Sequence, residues 1–159
     1  MSINSTFDFQ AIFNGYNNNV NPINISYHPK GYATNTATKS RYRALKKRPT
    51  LINIDRLQKF YLLDNNWDGY GAEKIDISLI KFCVKVISLL DDNKQPLVNP
   101  TGRNSIQMEY EKEDGTYFEL EFFKEDVINL FRIDDAGNES FKTLVSLKEV
   151  LDSIKSYFN

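Results

Sequence analysis

Cysteine and histidine are almost missing from this 159-residue chain, which holds Cys83 and His28 and no others. A single cysteine cannot close a disulfide within the chain or build a thiolate metal cluster. A single histidine also limits nucleophilic catalysis: a Cys/His pair would need His28 to meet Cys83, and a serine triad would need the same imidazole. Cys83 falls on the apolar stripe of a helical pattern, where cysteine behaves as a small hydrophobe. A phosphate-cradling loop is lacking too. Gly69-Tyr70-Gly71 has no preceding strand, no third glycine and no Lys-Ser/Thr after it. No run approaches the roughly 18 apolar residues that span a bilayer, and Met1–Gln10 lacks the basic start and apolar stretch of a secretion signal. These absences set the expectations: no enzyme, no cofactor, no metal, and a cytoplasmic location.

What is present suffices for one hydrophobic core, with 41% apolar and 13% aromatic residues. The net charge of −1 hides a split. Residues 1–50 carry seven basic residues and the one acid Asp8, a balance of +6; the remainder holds 13 basic and 20 acidic residues, a balance of −7. The expected organisation is a basic, Asn-rich, flexible arm over 1–49 followed by an acidic domain over 50–159. Within the arm, Lys39, Arg41, Tyr42, Arg43, Lys46, Lys47 and Arg48 form a run that either tracks a phosphate backbone with the ring stacked on a base, or is a solvated linker. Pro49 reads as the stop to that run.

Helical spacing at Ile54, Leu57, Phe60, Tyr61 and Leu63 predicts a helix over 53–64 with Asn53 as its N-cap. The loop Asn66–Glu73 follows, with the chain's one tryptophan and glycines at 69 and 71 that permit a compact turn. Asp68 can close that turn, and Trp67 and Tyr70 offer aromatic surface either to the core or to a ligand. Asp76 caps a strongly apolar helix over 77–90. Residues 91–105, with Pro96, Pro100 and Gly102, read as a connector. Alternation then predicts strands over 105–111, 117–123 and 127–133, a short fourth over 140–145, and turns at 112–115 and 135–138. A capping box at Ser146 and Glu149 opens the last helix, 146–158. The expected fold is α+β, a three- to four-stranded antiparallel meander with helices 77–90 and 146–158 on its apolar face and helix 53–64 at an edge.

The run Asn66-Trp67-Asp68-Gly69-Tyr70-Gly71-Ala72, the prolines after the next helix, the spacing Gly102, Ile106, Glu109, Tyr110, and the strand Phe118–Phe122 together resemble a diffuse group of small bacterial and mobile-element proteins. These carry the same tryptophan–glycine loop before a helix and an antiparallel meander. The likeness covers about residues 51–123 and implies the fold; no established activity comes with it.

Chemistry concentrates in the strand acids. Glu109 and Glu111 share one face of their strand, as do Glu119 and Glu121 on the next, because side chains two apart point the same way. A hairpin closing at 112–115 would gather all four. Such a patch could bind a divalent metal, hold an acid/base pair or meet a basic protein; the ordinary reading is one wet face of an antiparallel sheet. The leading functional expectation is a small non-catalytic protein-binding protein of the antitoxin, immunity or anti-defence type. Its partner would present a basic surface to Glu109, Glu111, Glu119 and Glu121, with Trp67, Asp68 and Tyr70 as further candidate contacts. The alternative is nucleic-acid binding through 39–48.

Overall fold

The computed structural model describes residues 48–124 and 127–159. Helix α1 (Pro49–Phe60) and helix α2 (Ile77–Ser88) precede five strands, β1 (Leu97–Thr101), β2 (Ser105–Glu111), β3 (Tyr117–Phe122), β4 (Ile128–Ile133) and β5 (Glu139–Leu144), and helix α3 (Leu147–Phe158) closes the chain. The strands form one antiparallel sheet in the order β1-β2-β3-β4-β5. The α+β meander is therefore present, with five strands rather than three or four.

The added strand is β1, from the stretch read as a connector. Only Val98 of its residues is fully buried, and Pro96 and Pro100 flank it, so neither alternation nor composition marks it as a strand. Proline is compatible with a sheet at an edge, and β1 is one.

α1 also departs from expectation. Pro49 does not stop structure; it begins the helix at N1, where a missing N–H costs nothing, and Arg48 rather than Asn53 is the N-cap. Asn53 is buried in the second turn, where its Nδ2 donates to the Pro96 carbonyl (2.9 Å) and to Gln95 Oε1 (3.2 Å). The helix ends at Phe60, not 64, and lies alongside α2 over β1, burying Leu57 and Phe60. α2 begins as expected, with Asp76 Oδ1 accepting from Ser78 N. α3 opens with Ser146 Oγ accepting from Glu149 N while Glu149 accepts from Val145 N.

Register explains the core. Even-numbered strand positions point inward: Val98, Ile106, Met108, Phe118, Leu120, Phe122, Ile128 and Leu144 are all buried beneath the helices. From α2, Phe82 meets Phe122 (5.9 Å between ring centroids), and from α3 Tyr157 meets Phe118 (5.1 Å) and Tyr110 (5.8 Å). Tyr157 OH donates to Thr116 O, and Lys112 Nζ to Tyr157 O, which fasten α3 to the β2–β3 hairpin. Cys83 is fully buried in α2, and burial pushes its thiol pKa well up. Among the described residues no helix is long and apolar enough to cross a membrane.

Candidate functional site

The helices leave the other face of the sheet open. Its outward positions are the odd-numbered residues, and they include Glu109, Glu111, Glu119, Glu121 and Glu139 but no lysine or arginine. The turn Lys112–Gly115 closes as expected, with Gly115 N donating to Lys112 O and Gly115 at φ +85°. Glu109 sits directly opposite Glu119 in the β2–β3 ladder. Like charges so placed repel, and among the described residues no basic side chain pairs with Glu109, Glu111 or Glu119. The Tyr117 hydroxyl donates to Glu119 Oε2 (2.8 Å). Partial burial pushes the tyrosine pKa well up, and the hydrogen bond to Glu119 and the charges of Glu119 and Glu109 add to that.

The expected four-carboxylate patch is only partly there. Glu121 lies on the same face but is 4% exposed, and its Oε2 accepts from Arg103 Nη2 at 2.7 Å. Its Oε1 accepts from the Ser105 hydroxyl, which in turn contacts the Thr101 hydroxyl. Glu121 is thus an internal ion-pair partner and not part of the free acidic surface. The reason is the turn Thr101–Ser105, which folds Arg103 over it from 18 residues away. Among the described residues no group of three or more His, Cys, Asp or Glu is arranged to hold a metal ion.

Beside the acids runs an aromatic row. Tyr117, Phe131 and Phe141 occupy adjacent outward positions on β3, β4 and β5, with ring centroids 6.0 Å and 4.6 Å apart. Phe141, 75% exposed, ends the row at the sheet margin. A shallow groove of about 460 Å³ runs here, lined by Glu119, Glu121, Phe131 and Phe141 and by the basic Arg103 and Lys142.

The Trp67 loop is rigid for a reason visible in its hydrogen bonds. Asp68 Oδ1 accepts from Tyr70 N (2.8 Å) and Ala72 N (3.1 Å), Asn66 Oδ1 from Gly71 N, and Asn65 Oδ1 from Lys74 N. Asn66 N donates to Ala72 O (2.6 Å), which closes the loop on itself. The backbone bonds from Tyr70 and Ala72 hold the Asp68 carboxyl below the ordinary carboxylate range. Asp68 is therefore a closing group for the loop and is largely engaged. Gly71 takes φ +98°, a conformation side-chain-bearing residues seldom adopt. Ala72 and Ile75 anchor the loop in the core, while Tyr70 stands 95% exposed and Trp67 is half-buried, its Nε1 without a partner among the described residues.

Asn104 and Gly102 join this loop to the sheet. Asn104 Oδ1 accepts from Glu73 N (2.8 Å), and a Cβ on Gly102 would lie 2.8 Å from Asp68 Oδ2. The turn that carries Arg103 over Glu121 is thus clamped to the Trp67 loop. Gly102, Arg103, Asn104 and Ser105 were not singled out from sequence as site residues; Gly102 and Asn104, both turn formers, are the local signal for them.

Arg48 donates to Asp92 Oδ2 (3.0 Å) at the start of α1. Lys39, Arg41, Tyr42, Arg43, Lys46, Lys47 and His28 lie outside the described residues. Comparison of the chain with protein-family models, curated proteins and solved structures yields no match.

Proposed function

We propose that this protein is a non-catalytic binding protein that captures a protein partner on the open face of its sheet, in the manner of an antitoxin, immunity or anti-defence factor. The carrying observation is the outward face itself: five glutamates, no basic strand position, and four of the five without an ion-pair partner among the described residues. A predominantly acidic surface beside an aromatic row is suited to a basic partner, since charge complementarity steers encounter and aromatic side chains supply binding energy. Tyr70 and Trp67 offer a second, smaller aromatic contact on a rigid loop. The acid pair Glu109–Glu119 is the natural centre, because a cation placed between them relieves repulsion that the free protein carries.

Nucleic-acid binding through 39–48 is the alternative proposal. The described residues bear on it at Arg48, which is engaged with Asp92, and in the acidic face, which would repel phosphates.

The test is affinity isolation of the full chain from its native cell, beside a variant carrying Glu109→Lys, Glu111→Lys and Glu119→Lys. Glu121 is left intact because it is internal. The expected result is a partner held by the wild type, released by salt and lost by the variant, with both proteins equally folded by circular dichroism. The same partner held by both would overturn the proposal.

A further inference from the structure

The two edges of the sheet are built differently, and the difference can be read from the ladder. In antiparallel pairing, a residue whose N–H and C=O bond one neighbouring strand is followed by one whose groups point the other way. Three bonds fix the phase: Lys112 N to Thr116 O, Phe123 N to Val127 O and Asp134 N to Asn138 O. Even positions of β4 therefore bond β5, and odd positions of β2 bond β1. At the β1 edge the groups left over belong to Pro96, Val98 and Pro100. Both prolines lack an N–H, and the carbonyls of Pro96 and Val98 accept from Asn53 and Arg56 of α1. That leaves one donor, the Val98 N–H, and one acceptor, the Pro100 carbonyl, too few for a continuing ladder.

The β5 edge is the reverse. Its leftover groups belong to Glu139, Phe141 and Thr143, and none of the described residues covers them. Residues 139–143 are exposed on both faces of the sheet. Beyond them Val145 N is taken by Glu149, so the free ladder is three residues long in alternate positions. Sheet edges left bare in this way are templates for another strand.

We infer that β5 is the site at which an extended segment of the basic partner joins the sheet, with cationic side chains at alternate positions on the outward face. This rests on the functional reading above and names how the partner engages. The choice of occupant follows from charge. A strand added to β5 places every second side chain on the outward face, first beside Glu139 and then beside the bare ring of Phe141, with the unpaired acids of β2 and β3 further in. A guanidinium fits both neighbours, as a salt-bridge partner for the carboxylate and a cation over the ring. An acidic segment would meet Glu139 first and the unpaired Glu119, Glu109 and Glu111 further in.

The register supplies a selective perturbation. Thr143 N–H faces the open edge, so Thr143→Pro removes an edge donor without a ladder bond to β4, whereas Lys142→Pro would remove one. The experiment titrates the isotope-labelled full chain with three synthetic ten-residue peptides and follows backbone amide signals by NMR. One peptide alternates arginine and threonine, one alternates glutamate and threonine, and one has five arginines followed by five threonines. The alternating arginine peptide should move the Glu139, Phe141 and Thr143 signals first. Its affinity should fall about tenfold in Thr143→Pro, which loses one edge hydrogen bond and sets a ring against the incoming strand, and measurably in Glu139→Lys, which keeps the backbone intact. Equal binding by the blocked peptide, or binding by the glutamate peptide, would overturn the inference. So would movement of the β5 signals with protein concentration alone, which would make the occupant a second copy. Should Thr143→Pro and Glu139→Lys both retain the cellular partner while the Glu109/Glu111/Glu119 variant loses it, the edge is refuted and the functional reading stands.

Discussion

Removing the exposed half of the Arg103–Glu121 pair should destabilise the protein more than removing the buried half. The Glu121 side chain is 5% exposed, whereas that of Arg103 is 67% exposed. Arg103→Ala strands a desolvated carboxylate with Ser105 as its remaining donor. Losing one partner of a fully buried pair costs about 3–5 kcal/mol. With one end at the surface and one hydrogen bond retained, about 2 kcal/mol is the reasoned figure, or a fall in melting temperature on the order of 6–10 °C. Glu121→Leu leaves Arg103 free to hydrate and Ser105 still in contact with Thr101, so its cost should stay within about 1 kcal/mol. The double variant should resemble Glu121→Leu alone, giving a coupling of about 2 kcal/mol between the two sites. Urea titrations followed by circular dichroism and by Trp67 fluorescence measure all four corners of the cycle. A cost for Arg103→Ala under about 0.5 kcal/mol, the level of an ordinary surface change, would refute the reasoning, because it would mean the carboxylate is hydrated and available to a partner.

Two further outcomes follow from the fold. Asn53→Ala leaves the Pro96 carbonyl without its donor inside the α1–β1 contact, and should cost about 1–3 kcal/mol in the same urea titration, with no cost refuting the buried bond. The Asp68, Asp76, Asp92, Asp114, Asp134 and Glu149 carboxyls all lie below their ordinary values, chiefly because hydrogen-bond donors favour the charged form. A depressed folded-state pKa adds stability that is present above the ordinary values of 3.8 and 4.5 and is lost as pH falls through the folded ones. The melting temperature should therefore be flat from about pH 7 to 5 and drop below about pH 4, and Asp68→Asn with Asp134→Asn should flatten that drop. A melting temperature unchanged to about pH 3 would show that these turn bonds do not persist in solution.

Local chemistry makes β2 and β3 readable in the sequence. Ile106-Gln107-Met108-Glu109-Tyr110 and Phe118-Glu119-Leu120-Glu121-Phe122 alternate cleanly, and parity alone put Glu109, Glu111, Glu119 and Glu121 on one face, as the register has them. α2 and α3 were legible from their caps and stripes. β1 was not, since its single fully buried residue sits between prolines whose lack of N–H groups suits an edge only once a neighbour is known. Burial of Glu121 was invisible for a different reason. It depends on Arg103, Ser105 and a clamp to the Trp67 loop, contacts between segments 16 to 31 residues apart that no periodicity encodes. Asn53 was misplaced because a polar residue near a helix start looks like a cap, and only the Pro96 carbonyl explains its burial.

The unequal edges also bear on assembly. An open-ended filament requires each molecule to offer two complementary surfaces, so that one addition recreates the site for the next. Here Pro96 and Pro100 remove the donors that such pairing would need at the β1 edge, and α1 occupies the carbonyls of Pro96 and Val98. The β5 edge of one molecule thus finds no matching open ladder at the β1 edge of the next. A sheet with one bare margin and one blocked margin can therefore accept a strand from a partner without stacking its own copies head to tail into a filament.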